Sequence, residues 1–187
     1  MRLCYRRSRM RSARRSGPPV RLFRMPVVPF DALSDGARVW VFASDRPLVG
    51  PDRNRLLGAV DAYLANWRAH GQPLTCARTW RDDRFLAVGV DPTTAYASGC
   101  SIDGLFRALQ ALRPFLGTSL VTGGRVFYRG AASEIHSVTR DEFTELSATG
   151  AVSANTPVFD LTVSTAGEWR QRFATAAGRT WHQELLV

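Results

Sequence analysis

Between Ala37 and Arg129 two periodicities alternate in a fixed order, and this order constrains the fold more than any other feature. Ala37 to Ala43 is rich in β-branched and aromatic residues and predicts a strand. Leu56, Val60, Tyr63, Leu64 and Trp67 recur at helical spacing and predict an amphipathic helix over 52–69, with His70-Gly71 as its C-terminal stop. Leu74 to Trp80 and Phe85 to Val90 are strand-like runs. The polar turn Arg81-Asp82-Asp83-Arg84 between them makes the pair a hairpin. Ile102, Leu105, Phe106, Leu109, Leu112 and Leu116 mark a second amphipathic helix, limited by Pro114 and Gly117. Arg125 to Arg129 is a fourth strand.

The sequence order is therefore β-α-β-β-α-β, the split β-α-β arrangement of a ferredoxin-like α+β sandwich with two helices on one face of an antiparallel sheet. The remainder reads as a small α+β extension. Thr139-Arg140-Asp141-Glu142 is a capping box, with Val138 and Phe143 placed as its hydrophobic staple, and its helix ends at Gly150. Thr156 to Val163 reads as a strand. Thr165-Ala166-Gly167-Glu168 is a second capping box, and it opens a helix carrying Trp169 and Phe173. Three segments follow: an Arg-rich tail over 1–24, a ferredoxin-like domain over 25–130, and an extension over 131–187.

Charge has to be read by segment. The formal net charge is +9, yet residues 1–24 hold nine Arg and no acid. The rest of the chain balances sixteen Arg against sixteen acids. Counterion release from phosphates rewards clustered cations, so nucleic acid is not the expected partner of residues 25–187. All 25 basic residues are Arg, the pattern of a strongly GC-rich coding sequence. Met25-Pro26-Val27 is then the expected true start, with 1–24 the product of a start codon placed too early. Twin-arginine export, an organellar transit peptide and a disordered nucleic-acid arm are the competing readings of the tail. No apolar run approaches the roughly 18 residues that a membrane span needs, so no membrane partner is expected. Three cysteines, Cys4, Cys76 and Cys100, give no disulfide framework, and a reducing cytoplasm is the expected compartment.

Three segments carry a resemblance: Trp67-Arg68-Ala69-His70-Gly71 with Leu74, then Ser98-Gly99-Cys100-Ser101-Ile102-Asp103, then Trp181-His182. Together they resemble an uncharacterised bacterial family whose members often carry the label "ABC transporter ATPase". The resemblance implies no activity. ATP hydrolysis of that class needs a Gly-rich loop with a phosphate-reaching Lys, and this chain has no Lys. Residues 126–169 are similar in element order to small GYF-type modules, without the aromatic ligand-binding signature of those modules.

One motif stands out chemically. Cys100 lies where a loop becomes the second helix, and a thiol at a helix N-terminus faces unpaired N–H groups that favour thiolate. Ser98, Gly99, Ser101 and Asp103, with Arg107 one turn on, could receive an anion there. His70 and His182 are the candidate bases for Cys100, while His136 precedes a capping box and reads as structural. The competing reading makes the motif a helix cap around a small buried Cys, with His70 a C-cap and His182 a surface residue. A metal site from Cys100, His70 and His182 with Asp91 or Asp103 has no supporting spacing, and no cofactor is implied. Two functions remain: a binding or scaffold module, working as a homodimer through an open sheet face or edge in one version, or a small cysteine-dependent enzyme or thiol redox protein.

Overall fold

The computed structural model describes residues 27–69, 71–92, 97, 99–120 and 123–187, apart from the side chains of Cys100 and Ser101. The protein is of the α+β class, with antiparallel sheets. In the first sheet, β1 (Arg38–Ala43) and β2 (Cys76–Arg81) flank β3 (Phe85–Val90). The helix α1 (Gly50–Ala65) connects β1 to β2, so this is a split β-α-β unit with β3 inserted. All six residues of β3 are buried because both faces of the sheet are covered.

The hairpin forms where the polar turn predicts it. Asp82 and Asp83 both adopt positive φ, 53° and 52°, the left-handed pair that a two-residue turn with matching strand twist requires. The first helix differs from expectation. It stops at Ala65, and a two-residue ladder, Arg68–Ala69 with Gln72–Pro73, closes around Gly71 at φ 77°. Gly71 thus serves a turn and not a helix cap. Trp67 belongs to the helical period, but it is buried from beyond the helix end, edge-on to Trp40 at 6.1 Å.

The fourth strand, β4 (Arg125–Arg129), does not join β1, as the ferredoxin-like order predicts. It pairs with β5 (Ile135–Thr139) and β6 (Pro157–Phe159) in a second sheet of order β5-β4-β6-β7, where β7 is Ala174–Ala176. The predicted strand over 156–163 is only three residues long. The Asp160 carboxylate accepts from the Thr162 backbone N–H at 2.9 Å and turns the chain.

Alternation sorts the side chains into three apolar layers. Phe42 on β1 with Leu86 and Val88 on β3 pack under α1, α2 (Gly99–Ala111) and Leu116 of the short α3 (Arg113–Leu116). Val39, Phe85 and Ala87 face the other way, meeting Phe127 and Phe159 of the second sheet, with Trp169 and Phe173 at α5 (Ala166–Arg172). Val126 and Val158 leave the far face of the second sheet and pack with Phe143 of α4 (Arg140–Ala148). The order of layers is helices, first sheet, second sheet, helix. Both capping boxes form as the sequence predicts, with Thr139 and Thr165 each accepting from the N3 backbone at 3.2 Å. No helix of the described residues is long and apolar enough to cross a membrane.

Candidate functional site

Two residues of the sequence-derived site, His70 and Ser98, lie outside the described residues. Gly99, Cys100 and Ser101 form the first turn of α2, but the last two are described in backbone only. Asp103 and Arg107 are exposed on that helix. Gly104 has a packing role: a Cβ there would lie 2.6 Å from the Tyr63 hydroxyl, so glycine lets α1 and α2 approach.

His182 is not the surface residue that one sequence reading makes it. It is 1% exposed, its Nδ1 lies 2.7 Å from Thr180 Oγ1, and its ring stacks on Trp181 at 3.9 Å. Burial pushes its pKa down to about 4, against the opposing pull of Asp160. It belongs with Phe143 in the outer layer of α4, while α2 lies in the opposite outer layer. A neutral, enclosed imidazole in that place is closed to a substrate arriving from solvent. Cys76, the other described cysteine, is also buried, and burial pushes its thiol up to about 12. Among the described residues no three His, Cys, Asp or Glu side chains assemble as a metal-ligand set.

The structure places a site that the sequence does not announce. A cleft of about 470 Å³ opens along β1, walled by Phe106 of α2, by Leu120, Gly123, Gly124 and Arg125, by the loop Leu161 to Ser164, and by Arg140 with Trp181. That volume lies within the range of ligand sites. Its floor is a strand edge. Val39 N–H donates to the Ser164 carbonyl at 2.8 Å, and Ala166 N–H to the Ala37 carbonyl at 2.9 Å, so the edge is covered at its beginning. Backbone direction alternates along a strand, so Val41 N–H and C=O also point away from β3. Among the described residues neither has a backbone partner.

The walls combine apolar surface with cations. The Arg38 guanidinium lies 5.2 Å from the centre of the Trp40 ring, and Arg140 lies 4.7 Å from that of Trp181. Neither Arg has an ion pair among the described residues. Arg125, the third cation, is held by the Ser137 carbonyl at 2.6 Å and lies 3.5 Å from Asp45. No Asp or Glu is among the described residues that line the cleft. Gly123 and Gly124 have open space where a side chain would stand, which widens the entrance. No protein-family model, no curated protein and no solved structure matches this chain.

Proposed function

We propose that this protein is a non-catalytic binding module and that it holds an extended segment of a partner chain along the open edge of β1. The observation that carries this reading is Val41: a backbone donor and acceptor at the floor of a cleft, with no partner among the described residues. Unpaired strand edges template pairing with another strand, and proteins that do not use them cover or charge them. Here the covering by Ser164 and Thr165 stops after Val39, and the cleft begins. Strand addition draws affinity from main-chain hydrogen bonds and specificity from the neighbouring pockets. A second copy of the chain, pairing through the same edge, is the homodimeric version of this reading.

Selection from a random linear peptide library, displayed on phage, tests it. The full chain is expected to enrich peptides that a Val41→Pro variant does not retain. Proline there removes the outward N–H and leaves the β1–β3 hydrogen bonds in place. Enriched peptides that bind the variant equally well would contradict the reading.

A further inference from the structure

The cations of the cleft define the chemistry of the segment it takes. We infer that the cleft selects an acidic extended peptide, whose carboxylates reach Arg38 at one end and Arg140 at the other while its backbone pairs with Val41. This inference rests on the strand-addition reading above. Arg38 and Arg140 are exposed, lack carboxylate partners among the described residues, and lie over Trp40 and Trp181. An indole face orders the guanidinium and leaves its N–H fork free for a carboxylate, which it meets in bidentate fashion. Several arginines outside the cleft are held by acids: Arg78 by Asp61 at 2.7 Å, Arg129 by Asp82 at 3.0 Å, Arg172 by Glu168 at 2.9 Å. Arg38 and Arg140, by contrast, border a cleft whose floor is an open strand edge and whose described lining holds no acidic residue. A segment alternating acidic and β-branched residues fits both features, because alternate side chains of an added strand fall on opposite sides of the edge.

The probe is a capped hexapeptide alternating Glu and Val, with a Gln/Val counterpart, titrated into the full chain by calorimetry. The Glu/Val peptide is expected to bind about tenfold more tightly, equivalent to one good charged contact, and to lose that advantage in high salt. Arg38→Gln and Arg140→Gln, both exposed and outside the core, are each expected to weaken it by about tenfold without changing the circular dichroism spectrum. Equal binding of the two peptides, still abolished by Val41→Pro, overturns the acidic preference and leaves the edge-pairing reading standing. Glu/Val binding that none of the three variants alters belongs to the Arg-rich tail and overturns the inference. So does tighter binding of a single-stranded oligonucleotide that the two Arg variants lose, and so does no binding of the Glu/Val peptide at millimolar concentration.

Discussion

Phe85→Ala is expected to lower the free energy of unfolding by about 3–5 kcal/mol, the range for removing a fully buried aromatic side chain. Phe85 is the centre of the layer between the two sheets. Its ring stacks on Phe159 at 4.5 Å and meets Phe127 and Phe173 edge-on at 5.4 and 5.2 Å. It is 0% exposed. The substitution therefore loses transfer free energy and packing with three rings, and it leaves a cavity that sheets on both sides cannot easily close. Since a domain of this size is stable by only about 5–15 kcal/mol, the variant approaches the limit of folding. Urea unfolding followed by circular dichroism measures the loss. Phe115→Ala, at a position 63% exposed, is the control and should change little. A loss below about 1 kcal/mol for Phe85→Ala would mean that the sheets are not joined through this cluster.

The second large effect is acid sensitivity through His182. Its folded pKa, about 4, lies below the ordinary value of 6.5. Between those two values the unfolded chain binds a proton that the folded chain refuses. Stability therefore falls as pH drops from 6.5 towards 4, by at most about 3 kcal/mol for a shift of this size. Glu168 acts in a lower window. The Ser164 backbone N–H, followed by Arg172, holds its carboxyl down to about 2, and the stability this contributes is lost only as pH falls below 4.5. Thermal unfolding of the wild type and of His182→Gln from pH 7 to 4 separates the two groups. The variant is expected to lose the slope above pH 4.5 even if its stability at pH 7 is lower. An unchanged slope would show that another group governs acid unfolding.

Features fixed by neighbours in the chain were legible in the sequence. The capping boxes at Thr139 and Thr165 need four residues each, and the Asp82-Asp83 turn needs two left-handed residues between runs of alternating pattern. The partner of β4 was not legible, because strand pairing is set by distant residues. Arg125-Val126-Phe127-Tyr128-Arg129 did hold one clue: Val126 and Phe127 are adjacent and both buried, which requires cover on both faces of the sheet. A strand at the rim of the first sheet would also satisfy that demand, so the clue does not choose between sheets. The end of α1 at Ala65 is hidden in the sequence because Trp67 keeps the helical period after the helix has stopped.

The candidate site was less legible than the fold. Ser98 to Asp103 is a contiguous motif, whereas the cleft draws on six separated stretches of the sequence. Arg38 and Arg140 carry no signal one by one, and Trp181 enters only through the resemblance; their meaning comes from the layer order that brings them to one edge. Val41 could not be singled out at all, since its importance lies in its backbone and not in its side chain. Neither sequence reading of His182, a base for Cys100 or a surface residue, foresees its burial, because a terminal position does not reveal that the chain end packs on α4.

Hydrogen exchange at single-residue resolution, followed by NMR on the ligand-free chain, tests the open edge most directly. Trp40 and Phe42 N–H groups point into the β1–β3 ladder and should exchange slowly, whereas Val41 N–H, between them in sequence, should exchange fast. Addition of a peptide selected by the cleft should then slow Val41. Strong protection of Val41 in the ligand-free chain would mean that the edge is already paired within the protein, and the account of a strand-accepting cleft would be wrong.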